Sequence, residues 1–297
     1  MTGHSWSLVT VTYNSAEILR RCWSGPKPYD WIVVDNNSTD DSVAVAQELG
    51  ARVVRLPANV GFSTANNAGL RESAADYVLF ANPDLEVEPD GLDRLQDHLD
   101  AHGGLVAPQL LSSTGEAQPN GRGFPYFTAR LGNRKIWPWS RIHAGYRVIA
   151  APGQALWVPW VTGAALAGRR ETIVSIGGWD ERFFLYYEDI ELCLRAWREG
   201  EGVALLGDVR WIHHWARANN TLRWSQAHSQ ELRSARTFFA MFPEFVAGLP
   251  RARRRHPRAA ALIGRPVVAP APAPPAQRPA GVTRAESEAA GRKSGDG

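Results

Sequence analysis

The segment "YVLFANPD", Tyr77–Asp84, joins an apolar run directly to a polar turn. Its first five residues are apolar or aromatic, which is the pattern of a strand buried on both faces. Asn82 and Asp84 then present two oxygen-bearing side chains on either side of Pro83, whose ring restricts the backbone between them. We therefore expect a strand over 77–81 that ends in a ligand-binding turn.

Short β-rich runs alternate with helical patterns around this segment. Strands are predicted at 7–12, 31–35, 52–56 and 77–81, and helices from about residue 16, near 40–49 and near 63–73. This order is typical of β-α-β units, and unbroken Val, Ile and Leu runs favour parallel strands. The sequence predicts an α/β fold with a mostly parallel, Rossmann-like sheet flanked by helices. Ligands of such sheets bind outside the carboxyl ends of the strands.

Composition limits the class of protein. A hydrophobic fraction of 44% in 297 residues favours a globular domain with a sizeable core, and a net charge of only +3 gives no general attraction to nucleic acid. Two cysteines, Cys22 and Cys193, are too few for a disulfide framework and favour a reducing compartment. We find no secretory signal and no membrane-spanning run, and the apolar segment 155–168 is predicted to be a buried strand and turn. We expect a cytoplasmic protein.

The chain changes character twice after the β-α units. Residues 112–155 are rich in Gly, Pro, Trp and Arg without periodicity, which predicts a long excursion over the binding site. From residue 249 the sequence is first basic, "RARRRHPR" at 251–258, and then rich in Pro and Ala. Such composition cannot form a core. The expected organisation is a folded domain over 1–248 and a disordered tail over 249–297.

No standard nucleotide motif is present. The turn after the first strand is "TYNSAE", without the glycines of a dinucleotide fingerprint, and there is no P-loop. A nucleotide would have to be held by polar side chains at the sheet edge, where Asp35 ends a buried strand. Asn66 and Asn67 are poor helix residues within a predicted helix, and ligand contact and a structural role remain equally open for them.

Two groups of residues have the chemistry of a metal site. Mg²⁺ and Mn²⁺ prefer hard oxygen ligands and are usually held by one or two carboxylates together with substrate phosphates, a role that suits Asp84 with Asn82. An ordinary Asx-Pro turn is the alternative. His213 and His214 follow in a Trp-rich segment, where core filling and metal ligation are equally open, and Arg217 could hold a diphosphate.

The segment 177–200 contains the candidate catalytic base. Its apolar residues are spaced for one helix face, so Glu188 and Asp189 fall in the first turn of that helix. Acids at a helix N-terminus can be merely stabilising because of the helix dipole. In an aromatic setting that can line a sugar pocket, however, an ionised carboxylate can accept a proton from a hydroxyl.

Seven motifs in this order resemble the inverting family 2 glycosyltransferases, particularly their rhamnosyltransferase-like branch. They are "VTVTYNS", "VVDNNSTDDS", "NVGFSTANNAGL", "FANPD", "VTGAALAGRRE", "GGWDERFFLYYEDIELCLR" and "IHH", within about residues 6–245. The resemblance implies an A-type glycosyltransferase fold, with a nucleotide-sugar half at about 1–108 and an acceptor half at about 109–248.

The resemblance also implies roles for individual residues. Asp189 would be the general base with Glu188 as its neighbour, and Asn82 and Asp84 would replace the metal-binding D-x-D motif, with His213 or His214 on metal or diphosphate. Thr12, Tyr13 and Asp35 would hold base and ribose, Asn66 the diphosphate region, and Gly163 and Ala164 the acceptor. The full set expected to bind substrate is Thr12, Tyr13, Asn14, Asp35, Asn37, Asn59, Gly61, Asn66, Asn82, Gly163, Ala164, Trp179, Asp180 and Arg217.

The expected reaction is transfer of L-rhamnose from dTDP-rhamnose, with Mg²⁺ or Mn²⁺, to a hydroxyl of a cell-envelope glycan or polyprenyl-linked saccharide. Another nucleotide sugar with a secondary-metabolite or exopolysaccharide acceptor is the alternative within the class. A nucleotidyltransferase would need a Gly/Arg/Lys-rich phosphate loop, which is missing, and a non-catalytic nucleotide-sugar-binding protein would not need Asp189 as a base. The basic run at 251–258 favours peripheral association with an anionic membrane surface, and a simple solubilising tail is the alternative. The oligomeric state stays open.

Overall fold

The computed structural model describes residues 6–25, 27–127, 146–214 and 224–268. One compact unit comprises residues 1–267. A second unit comprises residues 268–297, of which only Val268 is described.

The described part of the chain contains both strands and helices in the order of an α/β protein. The strands are β1 (Trp6–Thr12), β2 (Asp30–Asp35), β3 (Arg52–Arg55), β4 (Tyr77–Ala81), β5 (Leu85–Glu86), β6 (Leu105–Leu111), β7 (Gly121–Arg122), β8 (Arg147–Val148), β9 (Ala155–Trp157), β10 (Trp160–Val161), β11 (Ala165–Arg169) and β12 (Val203–His213). The helices are α1 (Ala16–Cys22), α2 (Ser42–Glu48), α3 (Phe62–Glu72), α4 (Asp90–His102), α5 (Arg170–Ser175), α6 (Glu188–Arg198), α7 (Trp224–Met241), α8 (Glu244–Ala247), α9 (Leu249–Arg255) and α10 (Pro257–Leu262).

The main sheet has the order β3-β2-β1-β4-β11-β6-β12-β5, and β9 pairs with β12. Strands β1 to β4 are mutually parallel, as the sequence predicted, and β6 is parallel to β12. Strand β11 enters antiparallel between β4 and β6, and β10, β7 and β8 form a small second sheet. The predicted α/β class with a mostly parallel sheet is confirmed. Strand β3 differs from the expectation of cover on both faces, because it lies at the sheet edge and its residues are exposed or half-buried.

Alternating residues of the strands face two cores on opposite sides of the sheet. Val9 and Val34 face the core that contains α3, whereas Leu8 and Val33 face the core that contains α1 and α2. Burying such a side chain contributes about 1.5–3 kcal/mol. A β-carbon on Gly69 of α3 would lie 2.3 Å from Val9 Cγ1, so this helix packs directly on the sheet. The packing places the N-terminal ends of α1 and α3 at the carboxyl edge of the parallel strands.

The folded unit extends beyond residue 248, which corrects the expected start of a disordered tail at 249. Ala252 of α9, His256 between the two helices and Ala259 of α10 are buried. Their spacing of four and three residues is that of one helical face. The sequence prediction missed this face because the segment is rich in arginine. The His256 Nε2 atom lies 3.0 Å from Glu244 Oε1, and Arg265 accepts a backbone hydrogen bond from Trp157. Residues 269–297 lie outside the described chain.

The apolar segment 155–168 forms strands β9 and β10 and the start of β11, as expected. In the part of the chain that the structure describes, no helix combines the length and apolarity that crossing a bilayer requires.

Candidate active site

A cleft of about 1170 Å³ opens at the carboxyl edge of the parallel strands. One wall comes from the turns that follow β1 to β4, and the opposite wall comes from residues 118–122, 162–164 and 184–189. The residues that follow the parallel strands all lie at the same edge of the sheet, so their polar turns meet there.

The turns after β1 and β2 are joined by reciprocal hydrogen bonds. Asn14, with φ of 52°, donates its backbone N–H to Ser38 Oγ at 2.9 Å and accepts the Thr39 N–H at 2.8 Å through its side chain. The Asp40 carboxylate accepts the N–H of Ala16, which begins α1, through Oδ2 at 3.1 Å, and the N–H of Ser42, which begins α2, through Oδ1 at 3.0 Å. These contacts hold the Tyr13–Asn14 backbone open toward the cleft.

Gly61 allows the two walls to meet. Its φ is 89°, and a β-carbon here would lie 2.6 Å from the backbone oxygen of Phe184. That oxygen accepts the N–H of Phe62 at 2.7 Å. Buried Asn36 secures the same loop, because its amide donates to Asn59 at 2.9 Å and accepts from the backbone N–H of Val60 at 2.8 Å.

Asp84 and His213 face each other across the end of β4 and β12, with Oδ1 and Nε2 3.4 Å apart. The Gln118 amide nitrogen donates to the His213 carbonyl at 2.8 Å, so its oxygen accepts from His213 Nδ1 at 2.9 Å. Nδ1 therefore donates to Gln118, which leaves Nε2 as the ring nitrogen that faces the Asp84 carboxylate. A separation of 3.4 Å suits two ligands that bind one ion at about 2.1 Å each. The donor set fits Mg²⁺ or Mn²⁺ and leaves positions for phosphate oxygens.

Glu188 and Asp189 begin α6 on the opposite wall, where Glu188 is buried and Asp189 is half-buried. The Asp189 carboxylate accepts the N–H of Gly163 at 3.1 Å and that of Ile190 at 2.8 Å. Burial raises the pKa of Asp189, while these two bonds and the charge of Arg122 oppose the rise. Burial and the neighbouring Asp189 charge raise the pKa of Glu188 well above its ordinary value. Of this pair, Asp189 has the neighbouring groups that favour an ionised carboxylate.

The turn that precedes the pair is strained. Tyr186 and Tyr187 have φ of 72° and 73°, in the left-handed region that side chains other than Gly, Asn and Asp rarely adopt. Each such residue costs on the order of 1–3 kcal/mol and tends to occur where function requires it. Ser234 of α7 donates to the Leu185 carbonyl at 2.7 Å and holds this turn in place.

Arg122 of β7 is a cleft residue that the sequence reasoning did not select. Its guanidinium lies 5.9 Å from the Tyr146 ring centre and 6.0 Å from that of Trp160, and burial lowers its pKa. Its buried Nη1 atom has no hydrogen-bond partner among the described residues. Arg122, like Gln118, lies in the aperiodic excursion at 112–155, where nothing in the sequence indicates which side chain faces the site.

The cleft brings together most of the residues selected from the sequence. Its walls include Tyr13, Asn14, Asn59, Gly61, Asn82, Asp84, Gly163, Ala164, Glu188, Asp189 and His213. Other selected residues lie elsewhere in the described chain: Thr12, Asp35, Asn37, Asn66, Trp179, Asp180 and His214. Arg217 lies outside the described residues.

The contacts of these outlying residues explain their positions. Asp35 is buried and accepts the Thr12 hydroxyl at 3.4 Å and the Ser38 N–H at 3.1 Å. Trp179 is buried beneath the cleft floor against Phe80, with ring centres 5.1 Å apart. Its neighbour Asp180 forms an ion pair with Arg182 at 2.6 Å. Asn37 is exposed with φ of 65°, and Asn66 is buried within α3.

The two histidines separate because successive residues of a strand point to opposite faces. His213 faces Asp84, whereas the ring of His214 contacts Glu86 outside the cleft wall. Asn67 likewise has a structural contact, since its amide binds the backbone of Trp179 in both directions, at 2.8 and 2.9 Å.

Known proteins share this sheet and its motifs. The sequence profile described as glycosyl transferase family 2 matches residues 7–151. N-acetylglucosaminyl-diphospho-decaprenol L-rhamnosyltransferase of Mycobacterium tuberculosis is 30% identical over 246 residues, which cover 74% of this chain and 79% of the relative. The low-salt glycan biosynthesis hexosyltransferase Agl10 of Haloferax volcanii is 27% identical, with 70% of this chain and 66% of the relative covered.

Solved structures of A-type glycosyltransferases have the same fold. The mannosyltransferase PcManGT of Pyrobaculum calidifontis, in complex with GDP-Man and Mn²⁺, matches with a TM-score of 0.56 at 18% identity over 87% of this chain and 70% of its own. GalNAc-T7 with UDP, GalNAc and Mn²⁺ matches with a TM-score of 0.55 at 18% identity over 71% of this chain, which spans less than half of GalNAc-T7, 43%. With the profile match and the rhamnosyltransferase relative, the shared fold leads to one conclusion: this chain is a glycosyltransferase and belongs to glycosyl transferase family 2.

Proposed function

We propose that this glycosyltransferase moves L-rhamnose from dTDP-rhamnose to a hydroxyl of a lipid-linked saccharide, with inversion at the anomeric carbon. The observation that carries the proposal is one cleft with two chemically different walls. Asp84 and His213 lie 3.4 Å apart on one wall, which supports a cation-binding pair beside the donor, and the half-buried Asp189 carboxylate lies on the opposite wall, which supports a base beside the acceptor. A single displacement needs a base and a stabilised leaving group on opposite sides of the anomeric carbon.

The chain's own residues supply the base and its orientation. Asp189, oriented by the Gly163 N–H, accepts the proton of the acceptor hydroxyl while that oxygen forms its bond to the anomeric carbon. The carbon–oxygen bond to the diphosphate breaks in the same step. Burial and the Asp189 charge raise the pKa of Glu188, which favours its neutral form beside the base. When bound, Mg²⁺ or Mn²⁺ held by Asp84 and His213 would neutralise charge on the diphosphate.

Two observations support the proposed acceptor: the name of a relative and the position of Arg122 in the cleft. The mycobacterial relative is named for a sugar linked through diphosphate to decaprenol. In this chain Arg122 places a buried guanidinium in the cleft near Asp189, where its charge acts on that carboxylate. A phosphate on the acceptor sugar would give this guanidinium a charged partner, because Arg forms strong bidentate contacts with phosphate.

Binding to nucleotide sugars tests the proposed donor. Melting curves with dTDP-rhamnose, UDP-GlcNAc and GDP-mannose, each with Mn²⁺, Mg²⁺ or chelator, should show the largest stabilisation with dTDP-rhamnose plus metal. Transfer to a short-chain sugar-diphosphate lipid, with the product's anomeric configuration read by NMR, then tests the acceptor. A larger shift with another donor would replace rhamnose, and transfer with retention would overturn the mechanism.

Asp84→Asn tests the cation-binding pair. Metal-dependent binding of dTDP should fall at least tenfold by calorimetry, because one carboxylate of a Mg²⁺ or Mn²⁺ site is lost. Asp97→Asn, which removes an exposed acid on α4, is the matched control and should bind like wild type. Equal metal-dependent binding by both variants would remove Asp84 from the site.

A further inference from the structure

A second cluster of metal-ligating side chains lies outside the cleft wall. It consists of Cys22 at the end of α1, Glu86 of β5 and His214 just after β12. The sulfur, a carboxylate oxygen and an imidazole nitrogen all lie within 4.8 Å of one another. Among the residues that the structure describes, no other group of three or more His, Cys, Asp or Glu side chains lies this close together.

The cluster lies directly behind the Asp84 turn. Strand pairing sets His213 against Leu85 and Ile212 against Glu86, and the backbone N–H of His214 donates to the Asp84 carbonyl at 2.9 Å. Strand alternation then turns His213 into the cleft and His214 away from it. On the α1 side, the Trp23 indole donates to the Pro83 carbonyl at 3.0 Å, so Cys22 is tied to the same turn.

The three donors match the preferences of Zn²⁺. Zinc binds thiolate at about 2.3 Å, imidazole at about 2.0–2.1 Å and carboxylate at similar distances, and keeps an open position when the protein supplies three ligands. Two ligands of one zinc ion lie roughly 3.3–3.7 Å apart by that geometry. A hard Mg²⁺ ion, by contrast, selects oxygen ligands and does not seek a sulfur.

The local charge also favours a cation. Burial, the Glu86 carboxylate and the Asp84 carboxylate together raise the pKa of Cys22 to about 12, against the opposing charge of Arg21. A dication bound between these groups reverses that balance, since a coordinating thiol is deprotonated.

We propose that Cys22, Glu86 and His214 form a zinc-binding site separate from the cation-binding pair of the cleft. On binding, the Cys22 thiol releases its proton to solvent as the sulfur–zinc bond forms, and no electron transfer is involved. The ion joins α1, β5 and the end of β12. Zinc therefore restrains the Asn82–Asp84 turn from behind without occupying the donor site.

Metal binding by the full-length protein tests the site without recourse to activity. After chelation and dialysis, calorimetry with Zn²⁺ should show a site that weakens at least tenfold in Cys22→Ser and in His214→Ala. Asp97→Asn, which removes an exposed acid on α4, should keep this site. Co²⁺ should produce a sulfur-to-cobalt charge-transfer band in wild type that Cys22→Ser lacks.

Thiol labelling gives a second readout on the unmutated protein, so the result does not depend on the folding of any variant. Iodoacetamide should modify Cys22, which is partly exposed, more slowly when Zn²⁺ is present, with peptides read by mass spectrometry. Buried Cys193 reports on unfolding in the same samples. Wild-type zinc affinity in Cys22→Ser, or unchanged labelling of Cys22 with Zn²⁺, would overturn the site.

Discussion

Two adjacent acids in α6 acquire different properties from their surroundings. Asp189 has two backbone donors and the nearby charge of Arg122. The Oε2 atom of Glu188 is buried and has no hydrogen-bond partner in the described part of the chain. Hydrogen bonds to a carboxylate favour its ionised form, whereas burial without partners favours the neutral acid. Side-chain type alone therefore does not assign the catalytic role.

Asp189→Asn tests the base. The amide preserves size but cannot accept the hydroxyl proton, so turnover should fall by about a hundredfold or more. Binding of dTDP should remain within about threefold of wild type, because Asp189 lies on the acceptor wall. Steady-state kinetics and calorimetry measure the two quantities. Near-normal turnover would show that another group removes the proton.

Glu188→Gln tests the proton held by the pair. The raised pKa of Glu188 contributes stability that is complete below its ordinary pKa of 4.5 and is lost as pH rises through the folded-state pKa. Gln does not titrate, so the stability of the variant relative to wild type should increase between pH 5 and pH 8. The increase should be about 1.4 kcal/mol for each unit by which the pKa is raised. Urea unfolding at several pH values measures it, and a difference independent of pH would contradict the assignment.

At the scale of elements, the site depends on turns that the regular strands and helices position. The strained Tyr186–Tyr187 turn starts α6, and the Gly61 turn starts α3. The two turns meet through the Phe184 carbonyl, which accepts the N–H of Phe62. This contact joins the two walls of the cleft, so the backbone conformation of these two turns sets the distance between the walls.

Gly61→Ala should destabilise the protein and reduce turnover for two reasons. The added β-carbon clashes with the Phe184 backbone, and the φ of 89° is unfavourable for alanine. Gly50→Ala is a matched control, since Gly50 has φ of 87° but nothing within 4 Å of the added carbon. The control should lose about 1 kcal/mol from backbone strain alone. Gly61→Ala should lose about 1–3 kcal/mol more. Equal losses in urea unfolding would show that the contact with Phe184 relaxes freely.

The whole molecule carries a basic surface on α9 and α10. Arg251, Arg253, Arg254, Arg255 and Arg258 are exposed there. The same helices bury Ala252, His256 and Ala259, so the basic residues belong to the folded unit. Each such residue near an anionic membrane contributes about 1 kcal/mol of attraction. We therefore predict that this surface attracts the protein to anionic membranes.

Charge removal tests this surface better than truncation, which would expose core residues of α9 and α10. Arg253, Arg254 and Arg255 changed together to Gln should abolish most sedimentation with anionic liposomes at low salt. Changing exposed Arg20, Arg55 and Arg94 to Gln removes the same net charge and should have little effect. Wild-type binding should also weaken at high salt because exposed charges are screened. Equal losses of liposome binding in both triple variants would show that binding depends on net charge and not on this surface.

The sequence alone determined the β-α order, the parallel half of the sheet and the candidate residues that follow each strand. These features depend on local periodicity and on the common edge at which parallel strands end. Tertiary structure decided what depends on contacts between distant segments. It turned His213 toward Asp84 and His214 away, and it brought Arg122 into the cleft. It also buried Ala252, His256 and Ala259 of the arginine-rich segment at 249–262. Strand register, burial and the charges of neighbouring residues produce these outcomes, and none of them can be read from one short stretch of chain.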